Sequence, residues 1–323
     1  MVTTLVYRNN RLAVENPPTS MLAELREERG VMMWIDMVNP SEKHVKRIME
    51  ELFGFHPLVI EDCATDSPFP KLEAYEDYLH LVMHAVDYSK TDKFTTTELD
   101  LILGKNFLVT FHRQPLRPVQ AALDRYVRSP NRLVRGPDRL AHTLLDYMVD
   151  AYQPALAELR QELEDIEYEA LRAGTPDELF PRVLELRKEL SQLRQIVRPQ
   201  RQTVQELAQG KTKFIRKVIF PYLRDLGEDL QRIEQQAVGW SDQLILSFRV
   251  FLNKSSHEAN AGIRVLTSLT ALSIPPLLIG GWFGMNFVHM DVLDHAWAYP
   301  ATFGLTLLCT AGMAAFIRRR GWL

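Results

Sequence analysis

The sequence predicts an α+β protein: an N-terminal α/β domain, a long helical stalk and two membrane-crossing helices at the C-terminal end. Three observations carry that reading. Residues 1–135 alternate short β-forming runs with turn signals, residues from Pro137 to about Ala208 change to helical spacing, and the two longest uncharged runs both lie after residue 264.

In the first domain, VMMWIDMV (31–38) runs into the Asn39-Pro40-Ser41 break and then SEKHVKRIMEELF (41–53), which reads as a strand followed by a helix with Ser41 as its N-cap. The segments YLHLVMHAVDY (78–88) and TTTELDLILGKNFLVTFHR (95–113) are rich in β-formers, and Gly104-Lys105-Asn106 interrupts the second as a hairpin turn does. Across 136–219, LAELRQELEDIEYEAL and LELRKELSQLRQIV are spaced for helices and separated by Ala173-Gly174-Thr175-Pro176, so two long antiparallel helices are expected. Their charged faces read as solvated and are assigned no chemistry.

The stalk, 220–264, starts near Pro221 and meets no strong stop before the membrane. A helix from Pro221 to Phe283 extends about 95 Å at ~1.5 Å per residue. Its apolar residues Leu223, Leu226, Leu230, Ile233, Ala237, Trp240, Leu244, Phe248 and Phe251 recur every three or four positions, forming a seam. One copy alone would expose that seam, which points to oligomerisation unless the seam packs on the other two long helices of its own chain.

Val265–Phe283 is 19 residues without a charge and Ala296–Ile317 is 22, each enough to cross a hydrocarbon core of about 30 Å. They sit in a first span, 265–286, and a second, 296–317, joined by a loop at 287–295 and followed by a basic tail at 318–323. Arg249, Lys254 and Arg264 precede the first span and Arg318, Arg319 and Arg320 follow the second, while the loop has no Lys or Arg. The positive-inside rule then puts the loop outside, on the periplasmic side of an inner membrane, with both termini cytoplasmic. The N-terminus lacks the basic start, apolar run and cleavage site of a signal peptide.

Composition narrows the function. A net charge of -3 with 46% hydrophobic residues gives no basic footprint for nucleic acid. The two cysteines, Cys63 and Cys309, form no CxxC pair, so neither a disulfide framework nor a zinc ribbon is indicated, and a reducing compartment fits. No nucleophile–base set or phosphate loop appears, so an enzyme is not expected. A membrane-anchored helical scaffold is the alternative of another class. It has no use for polar residues along one face of a span or for an acidic, base-free outer loop.

The first span ends in Gly284-Met285-Asn286, where the helix should leave the bilayer on the outer side. In that position, before a short acidic loop, a second span and a terminal RRRGWL, this tripeptide resembles the signature of the CorA magnesium-transporter family. The segments IRVLTSLTALSIPPLLIGGWFGMNFVHM, PYLRDLGEDLQ, KLEAYEDYLHLVMHAVDY and LILGKNFLVTF also look like family segments, so the resemblance covers most of the chain. It implies a homopentameric channel with a funnel-shaped cytoplasmic α/β domain, a pore lined by the first span of each subunit, and a divalent cation as cargo with no cofactor.

Helical spacing back from the signature gives Gly281, Leu277, Ile274, Thr270, Leu266 (or Thr267), Ile263, Asn260, Ser256, Leu252 and Arg249 on one face, the expected pore stripe. Leu266 and Ile263 resemble a hydrophobic constriction, and Asn260 resembles the family's inner polar ring. Five Asn286 amides would grip a hydrated ion, with Asp291 and Asp294 concentrating cations at the outer mouth. Gly280, Gly281 and Gly284 are read as allowing close helix approach and exit. His257, His289 and His295 are sparse and form no two-His helical pair, which favours Mg²⁺ over the zinc-transporting branch of the superfamily. Phe287 and Met290 after the tripeptide also look like the magnesium branch, with Co²⁺ or Ni²⁺ as further cargo. One departure stands out: where many members carry a regulatory stalk aspartate, this chain has Arg249. The possible partner carboxylate, Asp87, remains, and Asp225 is a second candidate metal ligand, with a structural ion pair as its plainer reading.

Overall fold

The computed structural model describes residues 1–322 except 66, 68, 87–95, 129–133, 173–175 and 286–294. Of the residues singled out above, Asp87, Asn286, Phe287, His289, Met290, Asp291 and Asp294 lie outside the described residues. The chain forms two compact units, Met1–Glu169 with Gly174–Leu246, and Ala170–Ala173 with Ser247–Leu323.

The first unit is built on a seven-stranded sheet of β1 (Val2–Arg8), β2 (Arg11–Glu15), β3 (Val31–Val38), β4 (Lys71–Ala74), β5 (Tyr78–Val86), β6 (Thr96–Gly104) and β7 (Phe107–His112). Their order is β2-β1-β3-β7-β6-β5-β4, antiparallel throughout except for β3 beside β7. Local chemistry sets the hairpins. Asn9 and Asn10 both take positive φ (51° and 67°) in the β1–β2 turn, a conformation that asparagine tolerates better than most residues. The expected β6–β7 hairpin is present, with Gly104 needed because a Cβ there would fall 2.2 Å from the Phe107 ring.

Alternation along the strands gives the sheet two buried faces. On one, Val6, Met33, Ile35, Met37, Ile102, Phe107 and Val109 form a core with residues of α1 (Thr19–Glu27), the helical run starting with α2 (Glu42–Val45), and α3 (Pro57–Ala64). On the other, beside α4 (Arg117–Arg128) and α5 (Pro137–Asp150), Trp34 Nε1 donates to Thr110 Oγ1 at 3.1 Å. Thr110 Oγ1 donates to Asp36 Oδ1 at 2.5 Å, and His112 Nε2 lies 3.1 Å from the same oxygen. Asp36 is 1% exposed, so three polar side chains deep in the unit depend on one carboxylate.

Two sequence expectations change, and one open alternative is decided. Ser41 has the extended backbone of an N-cap, but its hydroxyl pairs with His44 Nδ1 at 2.8 Å and caps no backbone N–H; past α2 the helix widens into a π-helical stretch, Lys46–Leu52. The region 137–208 holds three helices, because the chain breaks at Ala151-Tyr152 ahead of Gln153-Pro154; α6 (Gln153–Arg172) and α7 (Pro176–Ala208) are the long pair. The stalk seam, on α8 (Phe220–Phe283), is not left bare. Leu223, Leu226, Leu230, Ile233, Ala237 and Leu244 are all buried within the single chain. Arg201 of α7 donates to Glu234 at 2.8 Å, and a Cβ on Gly227 would meet Gln205 and Val204 of α7 at 3.5 and 3.9 Å. The seam packs on its own chain's helices, so it gives no argument for a second copy.

Removing the Asp36 carboxylate strands Thr110 and His112 in a dry environment. Asp36→Ala is expected to cost roughly 2–5 kcal/mol. The check is a thermal melt of the detergent-purified chain, in which an unchanged midpoint would mean the network carries no stability.

Candidate functional site

The second unit contains the latter part of α8 and α9 (Ala298–Arg319). Both carry apolar stretches long enough to span a bilayer, of which only 11% and 6% are buried. Neither is covered by the rest of its own chain as the core helix of a soluble domain is. Leu266, Leu269, Leu277, Leu278 and Trp282 on α8, and Phe303, Leu305, Leu308 and Phe316 on α9, stand exposed around their helices. A helix apolar on nearly all sides needs hydrocarbon or other helices around it.

The covered positions fall on one face of each helix: Ser268, Ala271, Leu272, Pro275, Ile279 and Phe283 on α8, and Ala298, Thr302, Thr306, Thr310, Met313 and Ile317 on α9. That is the pattern of two helices shielding each other. Most hydroxyls in these helices turn back on their own backbone: Thr267 to Ile263 O (2.7 Å), Thr270 to Leu266 O (2.9 Å), Ser273 to Leu269 O (2.7 Å), and Thr302, Thr306 and Thr310 each to the carbonyl four residues earlier. Each bond removes a polar group that would otherwise be costly in lipid.

The proposed pore stripe lies on the other side of α8. Arg249, Leu252, Ser256, Asn260, Ile263, Leu266, Thr270, Ile274, Leu277 and Gly281 are all helical and all exposed in the single chain, with Ile263, Leu266 and Leu277 at 61%, 67% and 72%. A Cβ on Gly280 or Gly281 would meet nothing within 4 Å. Beyond Phe283, Gly284 N bonds Gly280 O at 2.9 Å and Met285 N reaches Trp282 O at 3.4 Å, so the last described residues of the signature close the helix. Ten positions at helical spacing, from Arg249 to Gly281, thus share one uncovered face.

Outside the stripe, His257 is exposed and His295 sits beside Trp297, with ring centroids 5.9 Å apart. Asp225 is exposed on the first-unit part of α8 and belongs to no metal-competent group among the described residues. Such groups occur elsewhere, in the α/β unit: Asp62 with Glu73 and His80, and Cys63 with His80 and Asp100. Sequence reasoning missed them because their members come from α3, β4, β5 and β6, and only the fold joins them. The one available signal was a pair of strand histidines, His80 and His84, on the same face of a strand.

An α/β unit, a long helix and two exposed apolar helices define an integral membrane protein. The profile of the family described as CorA-like Mg2+ transporter protein matches residues 29–319. The chain belongs to that family: it is a divalent metal-ion transporter, not an enzyme, and needs no cofactor. It is 29% identical over 294 residues to the cobalt/magnesium transport protein CorA of Thermotoga maritima, covering 90% of this chain and 83% of that one. It is 22% identical over 325 residues to the cobalt/magnesium transport protein CorA of Methanocaldococcus jannaschii, covering 100% of both. The complete structure of the CorA magnesium transporter from M. jannaschii superposes with a TM-score of 0.81 at 20% identity, covering 100% of this chain and 99% of that one. The expected fold class, an α/β domain with a long helix and two C-terminal apolar helices, is the one observed.

Proposed function

We propose that five copies of this chain assemble in the cell inner membrane, both termini cytoplasmic, around a pore lined by α8, and conduct hydrated Mg²⁺, with Co²⁺ and Ni²⁺ as further cargo. The observation that carries this reading is the uncovered stripe from Arg249 to Gly281. Beyond Arg249 it mixes aliphatic and neutral polar residues, faces away from the positions that α8 and α9 cover, and leads to Gly284-Met285-Asn286. A ring of α8 helices turns those side chains toward a common axis and covers apolar surface that one chain leaves bare. The names of the T. maritima and M. jannaschii relatives support magnesium and cobalt over zinc.

Mg²⁺ sheds water reluctantly, so the economical filter grips the hydrated ion with neutral amide and backbone oxygens. Five Asn286 side chains supply that ring. The C-terminal end of the span presents carbonyl oxygens and the negative end of the helix dipole to the outer mouth, where Asp291 and Asp294 raise the local cation concentration. Further in, Leu266 and Ile263 form a constriction that gates by dewetting, and Asn260 re-engages the ion below it. Membrane potential draws the ion inward.

Asn286→Ala is expected to abolish divalent flux into liposomes while leaving assembly intact. Wild-type flux in an assembled mutant would sink the filter assignment, and robust flux of Zn²⁺ in place of Mg²⁺ through the unmodified protein would move the chain to the zinc branch. A wild-type protein that carries no ion at all would favour the scaffold. Native mass measurement is expected to give about five subunits; a monomer or dimer would refute the assembly.

Arg249 stands where a carboxylate would allow a regulatory ion to clamp neighbouring subunits. A guanidinium has no acceptor and cannot ligate a cation, so inhibition by internal Mg²⁺ is expected to be weak. Arg249→Asp should introduce it, read as slowed Co²⁺ entry into liposomes preloaded with millimolar Mg²⁺. If the unmodified protein already closes sharply under that load and the mutant behaves the same way, sensing lies elsewhere, with Asp225 the next residue to change.

A further inference from the structure

The α/β unit holds a cluster that the pore does not use. Glu73 of β4 and His80 of β5 are direct cross-strand partners, and Asp100 of β6 lies one diagonal step from His80, opposite Val82. His80 is fully buried. Its Nε2 is 2.8 Å from Asp100 Oδ1, while its Nδ1 is buried, has no hydrogen-bond partner among the described residues, and points at Glu73 Oε2 from 4.0 Å. Asp62 of α3 completes the corner, with the ligand atoms of Asp62, Glu73 and His80 all within 4.8 Å of one another. Lys71 lies between the two outer carboxylates, paired with Asp62 and 3.4 Å from Glu73. Tyr75 donates to Glu73 Oε2 at 3.0 Å and fixes that carboxylate in place.

We propose that Asp62, Glu73 and the Nδ1 atom of His80 form a binding site for a borderline first-row divalent cation of the Zn²⁺, Co²⁺ or Ni²⁺ type, taken up in exchange for the Lys71 ammonium. Anchoring is the first reason. Asp100 accepts a hydrogen bond and offers none, so it engages Nε2–H and leaves Nδ1, which faces a carboxylate, as the nitrogen available to an ion. That is the arrangement in which metal-ligating histidines are held, the far nitrogen anchored to a carboxylate. Charge is the second reason: among the described residues Asp62 and Glu73 share one ammonium, Lys71, with Asp100 as a third carboxylate at His80, and a divalent ion in place of that ammonium neutralises the corner better. Geometry is the third. Zinc bonds of about 2.0–2.2 Å put neighbouring ligands roughly 3.3–3.5 Å apart, so the 4.0 Å gap between His80 and Glu73 closes with about half an ångström of side-chain movement.

Access and selectivity follow. Asp62, Lys71 and Glu73 are 27%, 28% and 41% exposed, so an ion arrives from solvent while His80 waits beneath. An imidazole ligand and a small coordination number suit zinc, cobalt and nickel, whereas Mg²⁺ demands an octahedron of oxygens and retains its waters. Cys63 is grouped with His80 and Asp100 and not with Asp62 and Glu73, so it stands outside this ligand set.

The test is Zn²⁺ titration by calorimetry of the full-length purified protein in excess Mg²⁺, with Co²⁺ absorption reporting nitrogen ligation. One Zn²⁺ per chain that excess Mg²⁺ does not displace is expected. Glu73→Gln and Asp62→Asn should each weaken it at least tenfold. Asp100→Asn should weaken it about 10–100-fold by releasing the ring. Lys71→Met should tighten it, a gain that a purely structural ion-pair network would not produce. Cys63→Ser should leave it unchanged. Zn²⁺ binding that is unaltered in the Glu73 and Asp62 variants, or that weakens in Lys71→Met, overturns the site, and loss in Cys63→Ser moves the ion to the Cys63 side and overturns this ligand set. Flux through Asn286 variants reads the pore separately, so either idea can fail without the other.

Discussion

A helix in hydrocarbon must satisfy its own polar groups, and the second unit is arranged around that constraint. In α8 and α9 the Thr and Ser hydroxyls that bond back to their own helix leave the side chain apolar to its surroundings. The buried Ser268 hydroxyl, which has no partner among the described residues, is one exception, and Pro275 and Pro276 are another. Each proline lacks an N–H, so the carbonyls of Ala271 and Leu272 lose their usual helical partners. Such carbonyls are tolerated in a membrane only where protein or water reaches them. Ala271, Leu272 and Pro275 lie on the face of α8 that is covered, so protein rather than lipid stands beside these carbonyls.

The same helix solves a different problem nearer its start. From Leu223 to Leu244 its apolar seam is satisfied inside one chain, against helices that also carry the ion pairs Arg201–Glu234 and Arg182–Glu162. Farther on, the exposed residues pass from a stripe to nearly the full circumference. One continuous helix therefore changes its requirement from intrachain packing to packing by lipid or by other copies, and the case for assembly rests wholly on the second part.

This division explains what was legible in the sequence. Spans of 19 and 22 uncharged residues, the Gly284-Met285-Asn286 exit and the Gly104-Lys105-Asn106 hairpin each depend on residues adjacent in sequence. The fate of the seam did not, because a three-four repeat looks the same whether its partner is another copy or α7. The break at Ala151-Tyr152 carried one local signal, Pro154 in the first turn of the following helix, which the helical spacing on both sides outweighed. The Ser41 hydroxyl had two local partners, and the His44 ring prevailed over the backbone N–H. The metal-competent corner was beyond reach for a deeper reason: Asp62, Glu73, His80 and Asp100 meet only once the register of β4, β5 and β6 is fixed.

The two candidate ion sites then differ in a way that coordination chemistry makes useful. Along the stripe beyond Arg249 the polar groups are amides, hydroxyls and backbone carbonyls, neutral oxygens suited to an ion that keeps its water and must leave as readily as it enters. In the α/β unit the donors are an imidazole nitrogen and carboxylates backed by Asp100, suited to an ion that sheds water and stays. Weak neutral oxygens favour passage, and a preorganised nitrogen with paired charge favours retention. A protein that carries both can pass one class of divalent ion while holding another, and the Lys71 ammonium sets the concentration at which the second class displaces it. Because Lys71 and Glu73 share β4, the edge strand next to β5, occupancy at that corner bears directly on how firmly the sheet's last strand is held.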